Sequence, residues 1–159
     1  MNGITIRPVT QDDAPLLRHL AVNCPPLDVH TQYTYWVIAS YYGNHCFIAL
    51  YDNKPIGFIT SVKNDDTLFI WQIGILEEYR EKNISQLLID SVIKTMKKSK
   101  IKTAAVTIAV ENLNSFFAFK NYCEKNGFSF ENVSTAHVTD FDDPDFVEDE
   151  KMYLIRKKR

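Results

Sequence analysis

The spacing of apolar positions changes period several times along the chain. Ile4, Ile6 and Val9, with Pro8 among them, predict a short first strand. Thr10-Gln11-Asp12-Asp13 has the form of a helix start, with Asp13 three residues beyond a capping Thr, and Leu16, Leu17, Leu20 and Ala21 give that helix one apolar face. Pro25-Pro26 ends it, and a second helix is predicted over 31–42, dense in aromatic residues and stopped by Gly43-Asn44. Three β-branched and aromatic runs follow at 45–51, 55–62 and 67–76, separated by polar turns, which predicts an antiparallel meander. Ile84, Leu87, Leu88, Val92 and Met96 then recur at helical spacing. A strand at 104–109, a helix at 112–126 closed by Gly127, a strand opening at Phe128 and a last strand at 152–156 complete the pattern.

This order predicts an α/β fold built on a single mixed, mostly antiparallel sheet with helices on both faces. The chain has 159 residues, 45% of them hydrophobic and 24% charged, which suits one domain over residues 1–159 with one continuous core. No apolar run reaches the length of a membrane span and no secretion signal is read, so a cytoplasmic protein is expected. The net charge of −2, with acidic residues gathered late in the chain, speaks against a nucleic-acid partner. Cys24, Cys46 and Cys123 are far apart and odd in number, and His19, His30, His45 and His137 lack ligand spacing. Buried thiols, structural histidines and no metal are therefore expected. The phosphate-loop, dinucleotide and hydrolase glycine signatures are missing.

The junction from Ile73 to Leu88 reads as strand, short turn and helix start. Such a unit aims unpaired backbone N–H groups and the positive end of a helix dipole at a phosphate, and Arg80 would add a charge. Asn83 has two readings: a left-handed residue turning those N–H groups toward an anion, or a helix cap with Gln86 completing a capping box.

Arg80-Glu81-Lys82-Asn83-Ile84-Ser85 resembles the Arg/Gln-x-x-Gly-x-Gly/Ala motif of the GNAT superfamily of N-acetyltransferases, with Asn83 and Ser85 at the glycine positions. The order of elements, and a later helix opening at Asn112 and ending in Gly127-Phe128, are also similar. The resemblance implies the GNAT fold, acetyl-CoA as cosubstrate, and a cofactor site over Arg80, Glu81, Lys82, Asn83, Ile84, Ser85, Asn112 and Ser115. It also implies a bulged central strand whose backbone at Ile73 and Ile75 meets the thioester. The superfamily's thiolate-protonating tyrosine falls on Phe119, with Tyr122 one turn further.

The segment from Pro26 through Asp28 to Tyr33, Ile56-Gly57-Phe58, Phe69-Ile70-Trp71-Gln72, Asn112-Leu113-Asn114-Ser115, and Glu148-Asp149-Glu150 with Tyr153 resemble the L-2,4-diaminobutyric acid acetyltransferases of ectoine biosynthesis. That family usually has a histidine where this chain has Val147. The resemblance implies a small amine or diamino acid as substrate, Asp28, Tyr33 and Trp71 around it, Glu150 as base, and a homodimer. Glu148 and Asp149 would raise the proton affinity of Glu150 by like-charge repulsion. An acetyltransferase for another amine or polyamine, and a noncatalytic CoA-binding module, are the alternatives.

Overall fold

The structure is a computed structural model that describes residues 3–80 and 82–159. Its strands are β1 (Ile4–Pro8), β2 (Phe47–Tyr51), β3 (Lys54–Asn64), β4 (Thr67–Ile75), β5 (Thr103–Ala109), β6 (Phe128–Ala136) and β7 (Glu150–Lys157). The helices are α1 (Ala14–Val22), α2 (Gln32–Tyr42), α3 (Ile84–Lys98) and α4 (Leu113–Asn126). The strands form one sheet in the order β1-β2-β3-β4-β5-β7-β6, antiparallel throughout except for the β4–β5 pair. A parallel pair needs a crossover, and α3 supplies it.

Helices cover both faces, as expected, and the apolar residues fall into two cores rather than the one continuous core expected, because a sheet covered on both sides has a packed layer on each. Under α3 and α4, Ile84, Leu88, Val92 and Met96 pack with Phe119 and Tyr122 on Ile59, Leu68, Ile70 and Val106. Under α1 and α2, Leu17, Leu20, Tyr35 and Ile38 pack on Ile48 and Phe58. The three cysteines are buried free thiols.

Local chemistry accounts for most boundaries. Asp13 accepts the Thr10 N–H at 2.8 Å and is clamped by both Arg7 nitrogens, at 2.7 and 2.9 Å, which ties the end of β1 to the turn before α1. Thr31 caps α2 by accepting from Thr34 N at 3.1 Å. Two strands start elsewhere than the apolar runs suggest. Residues Gly43–His45 form a 3-10 turn, so β2 begins at Phe47; a Cβ on Gly43 would lie 2.6 Å from the Val9 carbonyl. The last strand begins at Glu150, two residues before Met152, because Glu150 pairs with both Ala109 and Ala136.

Candidate active site

The sheet opens at its centre. The register between β3 and β4 slips so that Thr60 faces Gln72 while Ser61 faces Ile70, leaving Trp71 as a bulge. The inserted residue reverses which positions face which core: Leu68 and Ile70 point to the α3–α4 side before it, and Ile73 and Ile75 after it. Pairing of β4 with β5 runs from Thr67↔Thr103 to Ile70↔Val106 and stops at the bulge. Beyond it the strands part.

The edge of β4 along this split carries free backbone groups. Gln72 N–H donates to Thr60 Oγ1 (3.2 Å) and Leu76 N–H to Ile56 O (2.9 Å), both on β3. Alternation along the strand therefore turns the N–H groups of Ile73 and Ile75 to the opposite edge. The Ile75 carbonyl on that edge accepts from Arg80 Nε at 3.1 Å. A cleft of about 310 Å³ opens there, lined by Ile73, Ile75, Arg80, Ser85, Asn112 and Ser115 and closed on its far side by residues 24–27. Gly74 lets that loop sit down on β4: a Cβ there would meet Leu27 Cδ1 at 2.8 Å, Phe58 Cε1 at 2.9 Å and Cys24 Cβ at 3.2 Å.

The turn into α3 resolves the two readings of Asn83. Its backbone is left-handed (φ 60°, ψ 19°), and its side chain makes no capping hydrogen bond. The capping box is not formed, because Gln86 donates instead to Ala118 O at 3.0 Å and so joins the start of α3 to α4. The first-turn N–H groups of a helix have no intrahelical acceptor, so the turn offers Ile84, Ser85 and Gln86 N–H beside the Arg80 guanidinium. Ile84 contributes only backbone, its side chain being in the core. Asn112 uses its Oδ1 to cap α4 at Ser115 N (3.2 Å). Lys82 is exposed, and Glu81 lies outside the described residues.

Across the split, on the β5 side, stands Glu150, paired with Ala109 at the end of that strand. Burial, then the charge of Asp28, push the Glu150 carboxyl above its ordinary range; Thr107 opposes them, and Glu148 adds to them. Asp149 plays no part in that shift. It accepts from Val138 N (2.8 Å) and His137 Nδ1 (3.0 Å), which hold its carboxyl below the usual range, and it fastens the loop between β6 and β7. A strand sends successive side chains to opposite faces, so the residue beside Glu150 in sequence is not beside it in space.

Asp28 follows the cleft-lining Leu27, and its carbonyl accepts from Gln72 Nε2, whose Oε1 in turn accepts from Tyr35 Oη at 2.8 Å. Trp71, 40% exposed at the bulge, packs on the His30 ring with centroids 4.7 Å apart. Tyr33 is 72% exposed and stacked on Trp36, and the tyrosine that reaches this network is Tyr35. Phe119 is buried in the core, and the Tyr122 hydroxyl donates to Asp90 Oδ1 at 2.8 Å. Burial and the Asp90 carboxylate raise its proton affinity far above that of an ordinary phenol. Gln72 stands in the Phe69-Ile70-Trp71-Gln72 run, where the resemblance gives it no role, and the sequence signal of Tyr35 is polarity at an otherwise apolar position.

The sequence model of the acetyltransferase (GNAT) family matches residues 14–128. The L-2,4-diaminobutyric acid acetyltransferase of Halomonas elongata is 28% identical over 124 residues, covering 76% of this chain and 65% of that protein. Its counterpart from Chromohalobacter salexigens is 29% identical over the same shares. The match thus spans just under two thirds of the length of these relatives. Among solved structures, the diaminobutyrate acetyltransferase of Paenibacillus lautus in complex with L-2,4-diaminobutyric acid and coenzyme A superposes with a TM-score of 0.88 at 22% identity, over 96% of this chain and 94% of that one. The ribosomal-protein-S18-alanine N-acetyltransferase of Escherichia coli gives 0.78 at 15% identity, over 98% and 95%. At these identities the two structures establish the shared fold.

Proposed function

The chain belongs to the acetyltransferase (GNAT) family, and on that premise we propose that residues 1–159 form one acetyltransferase domain that moves an acetyl group from acetyl-CoA to an amino group of a small diamino acid such as L-2,4-diaminobutyrate. The observation that supports this reading is the split between β4 and β5, with the left-handed turn into α3 following β4 on one side and Glu150, paired with Ala109 at the end of β5, on the other. The diaminobutyrate substrate of the relatives supports the choice of amine.

Acetyl-CoA supplies the acyl group as a thioester, and the residues present fit it. Arg80 and the N–H groups after the left-handed Asn83 meet the pyrophosphate, with Ser85, Asn112 and Ser115 along the cleft. The N–H groups of Ile73 and Ile75 face the position where negative charge develops on the carbonyl oxygen. Glu150 and Asp28 hold the incoming ammonium by charge-assisted hydrogen bonds beside the Trp71 ring. Glu150, with its proton affinity raised by burial and by Asp28, takes a proton from that ammonium. The freed nitrogen lone pair forms the C–N bond as the C–S bond breaks. Phe119 has no proton to give the departing sulfur, so that proton comes from the acylated nitrogen or from solvent. A cytoplasmic homodimer is part of the proposal, the exposed aromatics Tyr33, Trp36 and Tyr41 on α2 supporting contact between two copies.

Calorimetric titration with acetyl-CoA tests the cofactor side. Wild type binds and Arg80→Glu binds more weakly; no binding to wild type at millimolar acetyl-CoA overturns the assignment.

A further inference from the structure

The cleft has two unlike walls. On the α3–α4 side its lining is polar, with Arg80, Ser85, Asn112 and Ser115, whereas the opposite side is closed by Cys24, Pro25, Pro26 and Leu27. Apart from one thiol, the side chains of that second wall hold no hydrogen-bonding group. Such a wall discriminates by shape.

The wall is also fixed in place. Cys24 N–H donates to Ala21 O at 3.1 Å and Leu27 N–H to Cys24 O at 3.0 Å, so residues 24–27 close a turn directly on the end of α1. Two prolines inside the turn restrict its backbone. Just beyond it the Asp28 carbonyl accepts from the buried Gln72. The Leu27 side chain is seated on the backbone of β4 so closely that a Cβ on Gly74 would lie 2.8 Å from Leu27 Cδ1. Gly74 stands between Ile73 and Ile75, whose N–H groups face the thioester oxygen in the reading above. Leu27 therefore bears on β4 at the level where the acyl group lies.

A thioester carbonyl carbon carries its oxygen, its sulfur and its alkyl group in one plane. With the oxygen at those N–H groups and the sulfur running toward the Arg80 turn, the alkyl group is left with the apolar wall. A methyl group is the smallest alkyl group an acyl chain can present there. Each further methylene has to displace a side chain held by the turn and by its contact with Gly74, and close-packed surroundings resist such insertion. We propose that Leu27 limits the transferred acyl group to acetyl, so that CoA thioesters with longer chains are rejected. This rests on the acetyltransferase reading above and adds to it the residue that sets the range of acyl donors.

The test compares acetyl-CoA, propionyl-CoA and butyryl-CoA in wild type and Leu27→Ala. Calorimetric titration without amine gives the affinity of each thioester relative to free CoA, and amine-dependent thiol release gives kcat/KM for each donor. One methylene in an apolar pocket separates substrates by roughly 10-fold to 200-fold, so wild type should favour acetyl-CoA over propionyl-CoA by at least about 10-fold. In Leu27→Ala that preference should fall by about 10-fold or more, in binding and in turnover alike. Each ratio is taken within one protein, so a general loss of folded or active enzyme cancels. A wild type that uses propionyl-CoA as well as acetyl-CoA, or a variant that keeps the wild-type ratios, overturns the assignment. If wild type releases thiol from none of the three donors, the acetyltransferase reading itself fails and this inference falls with it. Should Leu27→Ala not fold, Leu27→Val, which removes a single methylene, decides by the same ratios.

Discussion

Tyr35 donates its hydroxyl to the Gln72 amide oxygen at 2.8 Å, and both residues are buried. Through Gln72 Nε2 this contact reaches the Asp28 carbonyl, so a residue on α2, one on the central strand and the loop that carries a proposed substrate carboxylate are fastened together. Tyr35→Phe leaves the Gln72 oxygen buried without a donor. The expected cost is about 1–3 kcal/mol of stability. Denaturant unfolding measures it, and a rise in amine KM larger than any change in acetyl-CoA affinity should accompany it.

Asn83 provides a second prediction. A left-handed backbone is strained for residues with a side chain, less for Asn than for most, and worst for a β-branched one. Asn83→Gly should keep or improve acetyl-CoA affinity and gain up to about 1 kcal/mol of stability, whereas Asn83→Val should lose about 1–2 kcal/mol and bind acetyl-CoA more weakly. Equal affinity in all three proteins would mean that the turn does not hold the pyrophosphate.

The proton affinity of Glu150 has a consequence for the fold. A carboxyl held above its ordinary value favours the folded state while protonated, and that contribution is lost as pH rises through the folded value. At neutral pH the charged Glu150 therefore works against the fold. Glu150→Gln should melt at a higher temperature than wild type near pH 7.5, with the gap closing as pH falls toward about 4. A lower Tm for the variant at neutral pH would show that the carboxylate is held by partners rather than strained by burial and Asp28.

The elements were legible in the sequence because apolar period and turn residues are local signals: among the described residues, eleven strands and helices follow in the expected order. The candidate cofactor side was legible too, since a strand, a turn and a helix start are contiguous in the chain. What the sequence does not carry is whatever depends on pairing across the sheet. A bulge in the central strand is expected from the family resemblance alone; its position at Trp71 is set by the register between β3 and β4, and the split by where β5 leaves β4. Adjacency in sequence misled for Asp149, which binds His137 and Val138, and Asp28, remote in sequence, acts on Glu150 instead. Asn83 could not be decided from its residue type, since Asn suits both a cap and a left-handed turn, and the backbone angle settles it.

The central claim is that an amine held at Glu150 in the split between β4 and β5 receives an acetyl group from acetyl-CoA. Thiol release from acetyl-CoA, followed with and without 2,4-diaminobutyrate in wild type and Glu150→Gln, tests it most directly. The account predicts amine-dependent release by wild type, and in Glu150→Gln a turnover lower by roughly 10²-fold with acetyl-CoA affinity unchanged. Release that does not depend on the amine, or equal turnover by the two proteins across pH 6 to 9, would contradict it.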